Sequence, residues 1–298
     1  MILQESQPPQ PRVAILLLNY KAAEMTLQAV ESLQHLNYPL DRYEIHVIDN
    51  ASNDGSVELF QLTQFEITLH QNEENWGYAG GHNPILKKLL ETRPDIDAFW
   101  LLNNDTTIAP NALQELVKMH QKYPRALIGS KVCYPDGRFQ RVGSYLNFLK
   151  TKLVDYKEMS VSDGEKLASL TGASWLLPRQ VLLDVGLLDE RYFLYFEDND
   201  TCFRARQKGW DCRVALNSVV YHAESATTAK QPALMTYYYQ RNRLLFLQRF
   251  LSPWVFQWVL LYTQWRLKRK HADSAFKLAL SDFKQGTRGR CSHKALYQ

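Results

Sequence analysis

Apolar residues along the chain gather into short blocks, and most blocks end abruptly on an amide or an acid. Val13 to Leu18 is an unbroken apolar run with β-branched members, the pattern of a strand covered on both faces. Leu27, Val30, Leu33 and Leu36 then recur at helical spacing until Tyr38-Pro39. Tyr43–Ile48 predicts a second strand closed by Asp49-Asn50, and Asp54-Gly55-Ser56 opens a helix to about Gln64. Ile67–His70 predicts a third strand, and Asn75–Gly81 a glycine-containing loop leading into a helix through Leu90. Ala98–Leu102 predicts a fourth strand closed by Asn103-Asn104-Asp105, with a further helix from about Pro110 to before Pro124.

This alternation implies an α/β fold with a Rossmann-like, mostly parallel sheet flanked by helices. Ligands of such sheets bind beyond the carboxyl ends of the strands, and Asn19-Tyr20, Asp49-Asn50 and Asn103-Asn104-Asp105 all fall there. The later chain is less regular. Ala126–Cys133 reads as a strand, residues 139–170 as a loop over the site, and Thr171–Leu177 as extended. A short helix from Pro178 to Gly186, a helix over Glu197–Lys208 closed by Gly209, and a strand over Arg213–Tyr221 complete this part. Residues 1–11 are polar and proline-rich, a flexible arm; 12–230 form one domain; 231–298 form a helical C-terminal appendage.

Charge sharpens that division. The net charge is +4, yet 231–298 carry 12 Lys/Arg against 2 Asp/Glu, a local +10 that leaves the preceding part at −6. In the appendage, Tyr237-Tyr238-Tyr239, Arg241, Arg243, Phe246, Phe250, Trp254, Trp258 and Trp265 lead to Arg266, Lys268, Arg269 and Lys270. Interleaved aromatics and cations suit an interfacial helix beside anionic lipid, or a helical hairpin packed on the domain. No nucleic-acid motif accompanies them, so no nucleic-acid partner is expected. No apolar run reaches the ~18 residues of a membrane span. Cys133, Cys202, Cys212 and Cys291 show no metal spacing, and without a signal peptide they read as reduced thiols of a cytoplasmic protein.

Neither GxGxxG after the first strand, nor GxxxxGK[ST], nor GxSxG occurs. Acids and amides at strand ends remain. Asp49 can accept from a nucleotide base or ribose hydroxyl, or cap its own turn with Asn50 and Ser52. Asp54 reads as a helix N-cap. Gly77, Gly80 and Gly81 permit close backbone approach to an anionic ligand, or serve as turn residues. Asn83 suits a ribose contact or an Asx turn.

Asn19-Tyr20, Asp49 to Ser56, Asn75 to Asn83, Leu102 to Thr106 and Glu197-Asp198-Asn199-Asp200 together resemble the motif series of family 2 glycosyltransferases. The resemblance runs in order from about residue 12 to 222. Arg241-Asn242-Arg243 and Gly286–Arg290 are similar to the rhamnosyltransferase-like branch. It implies a GT-A fold and an inverting transferase. The implied reaction moves a sugar from a UDP- or dTDP-sugar, dTDP-rhamnose among them, to a hydroxyl of a glycan or lipid-linked acceptor in cell-surface polysaccharide synthesis. It places Asn19, Asp49, Asn50, Ser52, Gly77, Gly80, Asn83, Asn104 and Asp105 around the nucleotide sugar.

By this resemblance Asp105 holds Mg2+ or Mn2+, with an Asn103-Asn104-Asp105 triplet where many members carry two acids. Asp198 is the catalytic base, and His222 joins the metal, although Ala223-Glu224-Ser225 replaces the usual glycine-containing context. Glu197 sits beside the base, where close like charges raise one pKa; the same acids also suit an acidic first helical turn. Gly172 and Trp175 line the donor or acceptor pocket, unless Trp175 is simply core. A peripheral position on the cytoplasmic membrane face fits the basic aromatic tail. Two alternatives stay open: a sugar-phosphate nucleotidyltransferase, and a non-catalytic nucleotide-sugar-binding scaffold.

Overall fold

The structure, a computed structural model, describes residues 10–147, 152–157, 160–223, 231–269 and 274–297. The expected N-terminal arm lies outside the described residues for positions 1–9, as does the segment after Ala223 up to residue 230.

Strands β1 (Val13–Asn19), β2 (Tyr43–Asp49), β3 (Thr68–Gln71) and β4 (Ala98–Asn103) alternate with helices α1 (Ala23–Leu33), α2 (Ser56–Gln61) and α3 (Gly77–Thr92). Val13 to Leu17 have no solvent exposure. Val13, Ile15 and Leu17 enter one core cluster with Ala29, Val30 and Leu33 of α1. Ala14 and Leu16 enter another with Ile85, Leu86 and Leu89 of α3. Burial on two faces explains the continuous apolar run, since each such side chain contributes about 1.5–3 kcal/mol only if a helix covers it.

After β4 come β5 (Thr106–Ile108), α4 (Ala112–Lys122), β6 (Ala126–Cys133), β7 (Phe139–Arg141), β8 (Gly143–Asn147), β9 (Lys152–Asp155), β10 (Ser169–Leu170) and β11 (Ser174–Pro178). They are followed by α5 (Arg179–Val185), α6 (Glu197–Gln207) and β12 (Asp211–His222). The main sheet runs β3-β2-β1-β4-β11-β6-β12-β5, with β7 beside β6. Its first four strands are parallel. β11 then inserts antiparallel between β4 and β6, which makes the second half mixed. β1 pairs with β2 on one side and β4 on the other, so the strand order reverses there, the place where such sheets open a ligand crevice.

Two local expectations change. The glycine cluster after Asn75 is not a loop: α3 starts at Gly77 and contains Gly80 and Gly81. A Cβ on Gly81 would lie 2.6 Å from Leu18 Cδ1, so the hydrogen is needed for helix–strand packing. Residues 139–170, read as a loop, instead hold β7 and a small sheet of order β10-β8-β9.

The C-terminal part contains α7 (Pro232–Phe250), α8 (Pro253–Arg269) and α9 (Ser274–Gln285). α7 is buried along most of its length, with Leu244 and Phe246 packed against Tyr192 and Phe196. α8 differs. Phe256, Val259 and Leu267 face inward, while Trp254, Val255, Trp258, Leu261, Tyr262 and Trp265 are exposed.

Candidate active site

The parallel register places Asn19 opposite Asp49 and Leu18 opposite Asn103, so the polar strand ends lie at one level. Asn19 Nδ2 donates to Asp49 Oδ1 at 2.8 Å and to Ser52 Oγ at 3.1 Å. Asp49 also accepts from Ser52 N–H (3.0 Å) and Ser52 Oγ–H (2.5 Å). Asn50 donates to Asn75 Oδ1 and the Gly77 carbonyl, and accepts from Asn72 Nδ2 and Trp76 N–H. Asp54 accepts from the N–H and hydroxyl of Ser56, which fixes the start of α2. Beside this lattice opens a cleft of about 510 Å³, lined by Asp49, Asn53, Ser56, Gln71 and Asn72 among others.

Gly77 has φ +73°, and a Cβ there would lie 2.1 Å from the Phe193 carbonyl oxygen. Only glycine permits the close approach that lets Tyr78 N–H donate to that carbonyl at 2.7 Å. Gly80 lies against Trp76. Asn83 donates to the Leu188 carbonyl and Glu190 Oε1 and accepts from Leu188 N–H, so it ties α3 to the segment before α6. Asn104 donates to Thr26 Oγ1 of α1.

Asp105, 7% exposed, lies on the turn between β4 and β5. β12 brings in His222, whose Nε2 is 3.1 Å from Asp105 Oδ1. In the tautomer whose Nδ1–H donates to Gln140 Oε1 (2.9 Å), Nε2 offers a lone pair, 3.3 Å from Asn103 Nδ2. A carboxylate and an imidazole lone pair thus converge, a hard oxygen and a borderline nitrogen that suit a divalent cation, with Gln140 fixing the ring. Among the described residues no group of three or more His, Cys, Asp and Glu forms a fuller ligand set.

Glu197 and Asp198 start α6, whose first turn carries three acids. Asp198 accepts from Gly172 N–H (2.8 Å), Asn199 N–H (2.7 Å) and Asn199 Nδ2–H (2.7 Å). Burial raises its pKa, opposed by these donors and by Arg141. Glu197, 6% exposed, leaves Oε2 without a hydrogen-bond partner. Burial first, and the Asp198 charge second, push Glu197 up to about 8. Both carboxyls are raised, Glu197 to about 8, and the three N–H donors on Asp198 make it the better stabilised of the two as a carboxylate.

A short path joins the two acidic sites. Gly172 N–H holds Asp198, Ala173 O accepts from Asn103 N–H at 3.0 Å, and Asn103 leads through Asn104 to Asp105. Tyr78 adds a hydrogen bond from its hydroxyl to the Gly172 carbonyl at 3.0 Å. A Cβ on Gly172 would lie 3.2 Å from Asp198 Oδ2, which makes this a tight contact. Trp175 is fully buried in the core cluster of α3 and β4. Tyr78, Gln140 and Asn199 have contacts in the site that motif reading left unassigned. Asn199, the amide inside the acidic quartet, and Tyr78, inside the Asn75 to Asn83 stretch, carried a signal; Gln140 carried none.

The model of the family described as "Glycosyltransferase like family 2" matches residues 9–244. The chain is 24% identical over 229 residues to an N-acetylglucosaminyl-diphospho-decaprenol L-rhamnosyltransferase of Mycobacterium tuberculosis, covering 69% of this chain and 75% of that one. S. aureus TarS 1-349 in complex with UDP-GlcNAc is similar in fold, with a TM-score of 0.61 and 15% identity over 93% of this chain and 81% of that one. Against the longer S. aureus TarS chain, 40% of that chain is covered. A mannosyltransferase from Pyrobaculum calidifontis, in complex with GDP-Man and Mn2+, gives a TM-score of 0.60 at 15% identity over 94% of this chain and 84% of that one.

Proposed function

The chain belongs to glycosyltransferase-like family 2, an enzyme of GT-A fold, and from that premise we propose an inverting transferase acting on a UDP- or dTDP-sugar. The observation that carries this reading is the anchored Asp198 carboxylate, joined through Gly172, Ala173 and Asn103 to the Asp105–His222 pair.

Asp198 accepts the proton of the acceptor hydroxyl as that oxygen attacks the anomeric carbon. The new carbon–oxygen bond forms while the bond to the diphosphate breaks, and the configuration inverts. Glu197, holding its proton, keeps the pair from carrying two buried charges. Asp105 and His222 are the residues that would hold a divalent cation; bound there, Mg2+ or Mn2+ would offset the charge growing on the departing diphosphate. The cleft beside Asp49, Asn53 and Ser56 offers carboxylate, amide and hydroxyl groups to a base and ribose.

dTDP-rhamnose is the favoured donor, and a lipid-linked glycan hydroxyl in cell-surface polysaccharide synthesis the favoured acceptor. The name of the rhamnosyltransferase relative supports rhamnose as the sugar, and its diphospho-decaprenol a lipid-linked acceptor. Among the described residues no helix is long and apolar enough to cross a membrane. A peripheral contact on the cytoplasmic face, made by α8, is supported by its exposed Trp254, Trp258, Leu261 and Trp265 beside Arg266 and Lys268.

Thermal shift with UDP, dTDP and GDP, each with and without Mn2+, followed by turnover of Asp198→Asn, tests this reading. A metal-dependent response to dTDP or UDP and turnover reduced about 100-fold are expected. A response to GDP alone overturns the donor assignment, and unchanged turnover removes Asp198 as the base.

A further inference from the structure

Six residues separate the end of the segment held by Asn83, at Glu190, from the catalytic helix, and their backbone is unusual. Phe193 (φ +59°), Tyr195 (φ +68°) and Phe196 (φ +78°) all lie in the left-handed half of conformational space. Side chains avoid that region, so three such residues within four positions persist only where the surroundings hold them. None of them is glycine or asparagine. They end at Glu197, so any relaxation here moves the first turn of α6.

Two grips hold the segment. On one side the Phe193 carbonyl accepts from Tyr78 N–H and lies against Gly77. On the other stands Asn242 of α7, with no solvent exposure. Its single Nδ2 group donates to the carbonyls of Tyr192 (2.6 Å), Leu194 (2.7 Å) and Tyr195 (3.0 Å). Its Oδ1 accepts from Arg241 Nε at 3.0 Å, which fixes the amide so that the nitrogen faces the loop. Arg241 is also fully buried and donates to the Gly289 carbonyl and, at 3.3 Å, to the Tyr192 carbonyl. Arg249, farther along α7, donates to Asp200 of α6 at 2.9 Å.

We infer that Asn242 is a positioning residue for the Glu197–Asp198 pair, and that α7 is thereby a working part of the active site. The inference rests on the proposed role of Asp198. Three convergent carbonyls on one amide set the curvature of residues 192–196. That curvature sets where Asp198 meets the Gly172 N–H. Displacement of a catalytic group by ~1 Å is enough to lower a rate about 100-fold. The nucleotide cleft at β2 and β3 shares no residue with this grip, so donor binding is expected to stay.

Asn242→Ala tests the inference in the full chain, with Tyr238→Phe as comparison. Tyr238 lies on the same helix, accepts from Cys291 N–H, and keeps its ring over Phe193 when changed to Phe. Expected for Asn242→Ala are a kcat lowered about 30-fold, donor KM within about threefold, a shifted acid limb of the kcat–pH profile, and faster amide exchange in residues 191–198. Tyr238→Phe should keep kcat within about twofold. Equal losses in the two variants, or unchanged kcat despite faster exchange, overturn the inference. Should Asn242→Ala not fold, Asn242→Ser, which retains one donor, is read by the same criteria. If the wild type transfers no sugar, the sugar-transfer reading fails, and exchange alone decides: unchanged exchange at 191–198 overturns the grip.

Discussion

The carboxyl ends of β1 and β2 and the start of α6 are both rich in buried polar groups, but the two regions treat them differently. Asn19, Asp49, Asn50 and Ser52 bond to one another and to nearby backbone, and both Asp49 oxygens have partners. At α6, Glu197 Oε2 is left without a partner and both acids are raised by burial. A satisfied network rigidifies the backbone around a cleft; a buried carboxyl oxygen without a partner, as on Glu197 beside the anchored Asp198, costs stability and persists where its chemistry is used. The difference fits the proposal that the first region presents a preformed rim and the second reacts.

Substitutions should separate the regions in kind as well as size. Asp49→Ala strips partners from Asn19 and Ser52, and should lower unfolding free energy by about 3 kcal/mol in urea titration. Lost nucleotide affinity at unchanged stability would instead make Asp49 a ligand contact. Asp105→Asn should weaken Mn2+-dependent nucleotide binding about 30-fold by calorimetry, with no difference left on adding chelator. Binding that keeps its metal dependence would move the cation away from Asp105.

Glu197→Gln should act in the opposite direction on stability. Below the ordinary carboxylate range, folded and unfolded chains both hold the proton. Between that range and about 8, only the folded chain holds it, so the wild type loses stability as pH rises. Gln does not ionise, so the advantage of the variant should grow by about 3 kcal/mol from about pH 5 to about pH 8. A constant gap would show that Glu197 ionises normally. The smallest effect is expected away from both regions: Trp254→Ser with Trp258→Ser should lower sedimentation with anionic vesicles about fivefold at unchanged turnover of a soluble acceptor. Equal partitioning would remove α8 from the membrane.

Most of the first region was legible because its signals are local. Val13–Leu18 runs into Asn19, and Asp49 closes its strand within one block of residues. The glycine cluster misled because Gly80 and Gly81 answer to Leu18 and Trp76 rather than to their own φ. Residues 139–170 were opaque since β10 spans two residues and is fixed by Ser144, Ser169 and Asn199, whose hydroxyl and amide contacts span 25 to 55 positions. The acids of the proposed site, Asp105 and Asp198, stood out in the sequence. Of their supports, Gln140 lies far away in sequence and carries no signal, whereas Tyr78 and Asn242 fall inside the Asn75 to Asn83 and Arg241-Asn242-Arg243 stretches without a hint of the backbone each one holds. The burial of Arg241 likewise has no counterpart in hydropathy.

The division of labour is tested most directly by pairing nucleotide binding with single-turnover transfer in Asp198→Asn. The account predicts Mn2+-dependent nucleotide affinity within about threefold of wild type and transfer slowed at least about 100-fold. Affinity and transfer falling together, or transfer surviving at the wild-type rate, would contradict it.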